Sequence, residues 1–285
     1  MINMKILPIN NTNTRKPVFK SCTRAYNPII LKSADCFEKD IVRTSTNILR
    51  EDLDWNILMK FIQRHFAGKE KVNVYSLAAS DGSEAYSFVV SVLDWLPQEL
   101  HNKFLPVFAS DIDKEVINSA KSGKINLYSA EIYRAERYYG INTDKYFTEP
   151  KASVFLKGDY ISESDYISSY KVADIVRNSV KFKQSDILTE LNNIKDEGNS
   201  IVMCRNVFPY LNKEYTEKII NTAKHNLKEG SLFIIGDFDL TVGTDGKLAK
   251  NGFFQPLFNG SFISSDIIFE RGSSKDITDK LIRYI

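Results

Sequence analysis

The 285-residue sequence is poor in the residues that build metal sites and disulfide frameworks. It contains three cysteines and three histidines, and none of them has the C-x-x-C or H-x-x-x-H spacing of common zinc sites. We therefore predict no metal site. An odd number of scattered cysteines also favours free thiols in a reducing compartment over a set of disulfides.

Long apolar runs and an excess of one charge are also missing. The longest apolar stretches, at residues 88–96 and 231–236, are far shorter than the ~20 residues of a membrane helix. The first residues do not have the charged stretch and apolar core of a secretory signal. Lys and Arg number 38 against 36 Asp and Glu, a net charge of +2 without a basic field. We expect a cytoplasmic protein that neither inserts into a membrane nor binds nucleic acid.

The chain changes character along its length. Residues 1–39 are polar and have no periodicity, which predicts an irregular arm. Residues 40–66 have apolar side chains at steps of three and four, which predicts an amphipathic helix. Apolar strand patterns and helical patterns then alternate. The predicted strands are residues 72–78, 105–110, 180–184, 200–204 and 232–236, and the predicted helices are residues 84–96, 113–121 and 213–228.

This alternation predicts an α/β fold with a doubly wound, mostly parallel sheet and helices on both faces. We assign residues 40–285 to one domain. The connection at residues 124–179 is too long for a loop and is expected to form a small inserted subdomain. Residues 253–285 could add a terminal antiparallel hairpin that turns at Gly260.

Two polar turns follow the first two predicted strands. The first turn, A-A-S-D-G-S-E at residues 78–84, has Gly82, which lets backbone amides approach a ligand closely. It does not match G-x-G-x-x-G or G-x-x-x-x-G-K-[ST], which argues against a dinucleotide and a phosphate loop. Gly82 could equally serve a tight turn alone. In the second turn, either Asp111 or Asp113 should cap the next helix, and we favour Asp111 as the acceptor for ribose hydroxyls because it is closer to the strand end.

Five motifs, in this order, resemble those of the chemotaxis-receptor glutamate methyltransferases (CheR). T-N-I-L-R at residues 46–50 is similar to the family's T-x-F-F-R, and residues 78–87 resemble its A-A-S-x-G-E-E-P-Y-S. F-A-S-D-I-D at residues 108–113 matches the end of its second strand, and D-I-L at residues 186–188 stands where the family has N-L-L. C-R-N-V at residues 204–207, followed by Tyr210, is similar to its C-R-N-V-x-x-Y.

The resemblance implies a class I, Rossmann-like methyltransferase fold, S-adenosylmethionine (SAM) as cofactor and a protein glutamate as methyl acceptor. By position, Arg50 would hold the cofactor carboxylate or the incoming glutamate, and Tyr210 would lie beside the transferred methyl group. The methionine part would contact Gly82 and Glu84, and the ribose Asp111. The full set of implied cofactor contacts is Thr46, Ala79, Ser80, Gly82, Glu84, Asp111, Asp186, Ile187, Asn206 and Val207, of which Asp186, Ile187 and Asn206 lie on the adenine side.

Other interpretations remain open for some of these residues. Arg50 could be a surface ion-pair partner of Glu51 or Asp54, and Tyr210 could be a core aromatic. Asn206 could simply form a turn at a strand end. The same interpretation weighs more heavily for Arg205, which we do not nominate as a catalytic residue.

The sequence also departs from the family pattern. Ser83 and Ala85 replace a glutamate and a proline, so that Glu84 or Asp81 would have to hold the cofactor's ammonium group. The family's G-H-S-E is G-D-F-D here, at residues 236–239. Only 45 residues precede Thr46, where the family has a helical domain that takes part in receptor recognition, so a chemoreceptor substrate is left open. A second hypothesis is therefore a catalytically inactive relative that binds SAM or S-adenosylhomocysteine as a sensor or scaffold.

Overall fold

A computed structural model of the chain describes residues 46–148, 153–154, 167–194, 198–258, 261–262 and 267–272. The predicted arm at residues 1–39 and the predicted turn glycine Gly260 lie outside this part. None of the helices within these ranges has the length and apolar character needed to cross a bilayer.

Strands and helices alternate through the described chain. The strands are β1 (Asn73–Leu77), β2 (Val107–Asp111), β3 (Lys124–Tyr128), β4 (Phe147–Thr148), β5 (Ser153–Val154), β6 (Ile167–Val172), β7 (Val180–Gln184), β8 (Ser200–Met203), β9 (Leu232–Ile234), β10 (Phe253–Phe254), β11 (Leu257–Phe258), β12 (Ser261–Phe262) and β13 (Ile268–Arg271). The helices are α1 (Trp55–His65), α2 (Ser83–Trp95), α3 (Gln98–Phe104), α4 (Lys114–Ser122), α5 (Ser129–Arg137), α6 (Asp174–Arg177), α7 (Ile187–Asn193), α8 (Lys213–Asn226), α9 (Asp237–Leu240) and α10 (Thr244–Lys250), with short 3-10 helices at Thr143–Lys145 and Phe208–Tyr210.

A seven-stranded sheet lies at the centre, in the order β10-β13-β9-β8-β1-β2-β7. Strands β7, β2, β1, β8 and β9 are parallel, whereas β13 and β10 are antiparallel to their neighbours. The chain builds outward from β1 to β2 and β7, and then returns to place β8 on the other side of β1. Crossovers between parallel strands are right-handed. Because the chain moves first to one side of β1 and then to the other, its helices are placed on both faces of the sheet. The predicted α/β, doubly wound, mostly parallel sheet is confirmed.

Helix α1 is shorter than the sequence periodicity predicts. It begins at Trp55, after Asp54, whose side chain accepts a hydrogen bond from the Ile57 amide as N-cap. The preceding residues, 46–54, form turns because their amides bind side chains elsewhere in the molecule: the Leu49 amide donates to Ser87 Oγ at 2.8 Å. The prediction of a helix from residue 40 is therefore wrong for residues 46–54.

A second, antiparallel sheet follows α4. It has the order β3-β6-β4, with β5 also paired to β6. Tyr146 ties it to the central unit through a 3.0 Å hydrogen bond from its hydroxyl to Asp94 Oδ1. This sheet lies within residues 124–179, where we predict an inserted subdomain, and the boundaries of that subdomain stay a prediction.

Candidate active site

The site begins where the strand order reverses, between β1 and β8. Ala78 and Ser80 follow β1 with φ angles of 57° and 51°, and Asn206 follows β8 with a φ of 57°. A left-handed backbone costs a non-glycine residue about 1–3 kcal/mol, and such strain collects at functional sites. Ligands of doubly wound sheets bind beyond the carboxyl ends of the strands at this reversal. The two strained turns therefore mark the candidate site.

Asp111 joins the turn after β1 to the end of β2. It is the last residue of β2, and its Oδ2 accepts from the Ser80 amide at 2.9 Å while Oδ1 accepts from the Asp113 amide at 3.0 Å. Burial raises the pKa of Asp111, and these amide hydrogen bonds oppose the rise. Asp113 caps α4 by accepting from the Glu115 and Val116 amides. The cap is therefore Asp113, and Asp111 is left facing the strand-end turns.

Two buried hydroxyls flank this carboxylate. Ser80 Oγ and Ser110 Oγ are inaccessible to solvent and have no hydrogen-bond partner among the described residues. Leaving a buried hydroxyl without a partner costs about 1–3 kcal/mol. The carboxylate of Asp111 thus lies among unsatisfied polar groups at the edge of the sheet, and its contact with the ribose of SAM stays a prediction.

Gly82 is required by the protein itself. Its φ of 86° is left-handed, and a Cβ at this position would lie 2.8 Å from Phe182 Cζ and 3.2 Å from Ala120 Cβ. The glycine therefore lets α2 start close against β7 and α4. A contact between Gly82 and the cofactor stays a prediction.

Replacing Gly82 by alanine should lower the free energy of unfolding by about 2–4 kcal/mol, from the left-handed backbone and the overpacking together. Urea denaturation measures the change. Gly246→Ala is the matched control, because a Cβ there meets nothing within 4 Å inside α10 and should leave stability equal or slightly higher. Equal stability of the Gly82 variant and the wild type would contradict this account.

Asp81 is committed to its own turn. Its Oδ1 accepts from the Ser83 amide at 3.0 Å and from Ser83 Oγ at 2.6 Å. Ser83, which replaces the family's glutamate, therefore helps to begin α2. Of the two acids that we considered for the cofactor's ammonium group, Glu84 is the one that faces the charged part of the site.

A buried charged cluster lies beside the strained turns. The guanidinium of Arg205 pairs with Asp52 through Nη2 and with Glu84 Oε2 through Nη1 at 3.3 Å, and it lies 5.4 Å from the centroid of the Trp55 ring. The side chains of Arg205 and Asp52 are only 2% and 3% exposed. Arg205 Nε is buried without a partner among the described residues. This arginine neutralises two acids at the centre of the site.

Glu84 connects the cluster to β1. Its Oε1 accepts from Ser76 Oγ at 2.7 Å, and its other oxygen faces Arg205. Burial raises the pKa of Glu84, and the charge of Arg205 acts in the opposite direction. Glu84 is therefore an acid held at the site by Ser76 and Arg205, and its contact with the ammonium group of the cofactor stays a prediction.

Arg50 lies at the edge of the same cluster. Its ion pair joins Nε to Asp52 Oδ2 at 3.8 Å, and its side chain is 32% exposed. Among the described residues Arg50 pairs with Asp52 and not with Glu51 or Asp54, the alternative partners, of which Glu51 pairs with Arg134 and Asp54 caps α1. Arg50 is thus a partly exposed cation at the site, and its role toward a ligand stays a prediction.

The turn after β8 is fixed by hydrogen bonds around Asn206. Its Nδ2 donates to Asp52 Oδ2 at 2.9 Å, and its Oδ1 accepts from the Phe238 amide at 3.1 Å. Asp239 accepts from the amides of Asn206, Phe208 and Gly236. Burial raises the pKa of Asp239 to about 6 even though these amides favour its ionised form. Asn206 does form a strand-end turn, and that turn belongs to the charged cluster.

Tyr210 and Phe238 form an aromatic edge to the site. Tyr210 ends the short 3-10 helix Phe208–Tyr210 and is half-buried, so it is not a core aromatic. Its ring centroid lies 6.3 Å from that of Phe238, which is 45% exposed. The Tyr210 side chain therefore remains accessible to a ligand.

Three further predicted cofactor residues follow β7 or β8 in the chain: Asp186, Ile187 and Val207. Thr46, another of them, is the first residue that the structure describes. Asp186 is the N-cap of α7, where it accepts from the Thr189 amide, Thr189 Oγ1 and the Tyr215 hydroxyl. Burial acts to raise the pKa of Asp186, but these hydrogen bonds outweigh it and the pKa lies below the ordinary value. Ile187 is buried, and Val207 is half-buried against the core. Their contacts with adenine stay predictions.

Two residues of the site were missed from the sequence: Arg205, which we set aside, and Asp52. Arg205 lies two residues after the fully buried strand β8, and this position was a usable signal because a buried cation needs an acid as its partner. That acid, Asp52, is 153 residues away, and nothing in the sequence pairs it with Arg205. Within the described residues, no group of three or more metal-ligating side chains is arranged to hold a metal ion.

Comparison with known proteins gives the family of the chain. The family model described as "CheR methyltransferase, SAM binding domain" matches residues 44–252. Chemotaxis protein methyltransferase 2 of Vibrio cholerae is 26% identical over 175 residues, which are 61% of this chain and 53% of that protein. The chemotaxis protein methyltransferase of Salmonella typhimurium is 28% identical over 191 residues, 67% of this chain and 58% of its own. That of Listeria innocua is 22% identical over 204 residues, 70% and 67%.

The chain spans about half to two thirds of the length of these relatives. The family model covers α1, the parallel strands and every described residue of the charged cluster. The resemblance seen in the five sequence motifs is confirmed, and this chain belongs to the CheR methyltransferase SAM-binding domain family.

Proposed function

We propose that this protein is a SAM-dependent methyltransferase that transfers a methyl group to a protein carboxylate, the side chain of a glutamate. The observation that carries the proposal is the placement of Arg50, Asp52, Arg205 and Glu84 at the reversal of the sheet, beside the Asp111 turn. This placement brings a cation that can orient a carboxylate next to the edge of the sheet that would bind the nucleoside. Membership of the CheR family supports both parts.

The site offers groups for each part of the cofactor. Asp111 would accept hydrogen bonds from the ribose, and Glu84 would attract the ammonium group. The cofactor supplies an electrophilic methyl group, whose bond to sulfur breaks as the carboxylate oxygen bonds to carbon, the electron pair staying on sulfur. The remaining expected contacts are Thr46, Ala79, Ser80, Gly82, Asp186, Ile187, Asn206 and Val207.

The side chains facing the acceptor need only to orient it. A glutamate carboxylate has a pKa of about 4.3 and is already ionised at neutral pH, so no general base is required. Arg50 can hold a carboxylate with two parallel hydrogen bonds, and the hydroxyl of Tyr210 can add a third. Orientation alone is worth up to ~7–11 kcal/mol in favourable cases.

The acceptor is a protein that presents a glutamate at an accessible surface. The names of the relatives connect them with chemotaxis, which makes proteins of a chemosensory system the first acceptors to test. The free, buried thiol of Cys204 supports the cytoplasm as the location of the reaction.

Asp111→Asn should weaken SAM binding by about tenfold to a hundredfold, because one acceptor oxygen becomes a donor and hydrogen bonds to a charged group are worth about 1.5–3 kcal/mol. Isothermal titration calorimetry measures the Kd. Asp113→Asn is the control: asparagine is also a good N-cap, so the affinity should not change. Equal affinity of both variants and the wild type would remove the ribose assignment.

The chemistry of the product tests the proposed function. Protein extracts are incubated with the purified chain and SAM labelled in its methyl group, and the labelled proteins are then treated with mild alkali. A carboxyl methyl ester should release its label as volatile methanol. Label that withstands alkali would mean methylation of nitrogen or another group, and no label in any extract would favour the inactive binding protein.

A further inference from the structure

Asp52 links two parts of the site that are far apart in sequence. Its side chain is 3% exposed, and one oxygen pairs with Arg205. The other oxygen accepts from Asn206 Nδ2 at 2.9 Å and from the Asp237 amide at 3.4 Å, and it lies 3.8 Å from Arg50 Nε. One buried carboxylate thus contacts the segment before α1, the end of β8 and the start of α9.

The backbone around Arg50 is fixed independently of Asp52. The Ile48 amide donates to Glu131 Oε1 at 2.7 Å, and the Leu49 amide donates to Ser87 Oγ at 2.8 Å. The Arg50 carbonyl accepts from Trp55 Nε1 at 3.1 Å. These contacts place the Cα of Arg50 and leave the direction of its long side chain to be set by charge.

Asp52 attracts the Arg50 guanidinium by its charge, without accepting a hydrogen bond from the N–H groups of Arg50. The 3.8 Å distance from Nε exceeds a hydrogen bond, and the two Nη atoms make no hydrogen bond to the described residues. Arg205, in contrast, is engaged with two carboxylates through both of its Nη atoms. The two arginines therefore differ: Arg205 is structural, and the fork of Arg50 is available.

We propose that Asp52 is a positioning residue, which draws the Arg50 guanidinium toward the end of β8 so that its Nη atoms face the acceptor carboxylate. This inference rests on the proposed function and adds a residue to it. The neighbouring acids Glu51 and Asp54 cannot substitute, because they are committed to Arg134 and to the cap of α1. The other nearby acid, Asp237, also feels the charge of Arg50, which acts to lower the pKa of Asp237, but the acid within ion-pair distance of Arg50 among the described residues is Asp52.

The first test compares Asp52→Asn with Glu51→Gln, an exposed acid in the same turn. Asp52→Asn should raise the KM for an acceptor protein identified by its alkali-labile label at least about tenfold, the loss expected for one charge-assisted contact, with SAM affinity changed by less than about threefold. In an Arg50→Ala background, Asp52→Asn should add almost nothing. Effects that multiply in the double variant would show a structural role and overturn the inference.

A second variant covers the case in which Asp52→Asn does not fold. Asp52→Glu keeps the charge and moves it by one methylene, so Arg50 should keep a partner while losing its best alignment. The acceptor KM should then rise by less than in Asp52→Asn, and SAM affinity should again hold. If the folded Asp52→Glu variant no longer holds the Arg50 side chain and still has wild-type kinetics, the inference is contradicted.

The last readout is independent of catalysis. Phenylglyoxal modifies accessible guanidinium groups, and peptide mass mapping follows Arg50 separately from the buried Arg205. Modification of Arg50 should be severalfold faster in Asp52→Asn than in the wild type, and unchanged in Glu51→Gln. If the wild type transfers methyl groups and Arg50 is modified at the same rate in Asp52→Asn as in the wild type, the positioning role is overturned and the proposed function is not. A wild type that transfers none would overturn the proposed function, and the modification rate would still decide whether Asp52 holds Arg50.

Discussion

Replacing Arg205 by alanine is expected to lower the free energy of unfolding by about 3–5 kcal/mol, the cost of removing one partner from a buried ion pair. Asp52 and Glu84 would be left as buried acids facing each other without the cation that neutralises both. The variant would also lose the contact of the guanidinium with the Trp55 ring. Urea denaturation followed by circular dichroism measures the change from the shift in midpoint at constant slope.

Arg134→Ala is the matched control for Arg205. Arg134 also pairs with a carboxylate, at 2.8 Å, but its partner Glu51 is 75% exposed. An exposed pair of this kind is worth about 0–1 kcal/mol, so the two arginines should differ several-fold in their effect on stability. Arg205→Lys should fall between them, because one ammonium cannot reach both acids with the geometry of a guanidinium fork. Similar losses for Arg205→Ala and Arg134→Ala would mean that the cluster is not a buried charged core.

Replacing Arg50 by alanine is expected to reduce kcat/KM for methyl transfer about 100- to 1000-fold, the loss seen when one preorganised donor of an active site is removed. The acceptor carboxylate would lose both of its parallel hydrogen bonds and would face Asp52 without an intervening cation. Initial rates of alkali-labile methyl incorporation measure the effect, and calorimetry measures the Kd of SAM in the same preparation.

The two roles implied for Arg50 give different results. If it binds the acceptor, the Kd of SAM should stay within about threefold while kcat/KM falls. If it binds the cofactor carboxylate, the Kd should rise by the same factor as kcat/KM falls. Tyr210→Phe removes a single hydrogen bond to the carboxylate and should cost about 10- to 100-fold. Unaltered transfer in both variants would contradict the assignment of these residues.

The parts of the fold that depend on local signals are predicted well from the sequence. Strand β7 has the predicted bounds, and α4 has the predicted Asp113 cap and ends at its C-cap, Gly123. Both are encoded within a few residues by apolar patterning, a capping side chain and a glycine. Helix α1 shows the limit of this approach, because Leu53 has the helical spacing but lies before the cap at Asp54. Turns held by distant side chains cannot be read from spacing.

The candidate site also has residues that can be predicted from the sequence and residues that cannot. Gly82, Asp111 and Asn206 are found from motifs because each lies at the end of a parallel strand or in the turn after it, and parallel strands bring their ends to one edge. The charged cluster is different, because Arg205 and Asp52 come together only through the return of the chain across β1. Its strength depends on burial to 2–3% exposure, which no local pattern specifies.

The central claim is that the strained strand ends around Asp111 bind SAM, and calorimetric titration of the purified chain with SAM, and separately with S-adenosylhomocysteine, tests it most directly. We expect one site per chain for each compound, with heat released on binding. A folded sample, shown by its cooperative unfolding in urea, that binds neither compound would contradict the account.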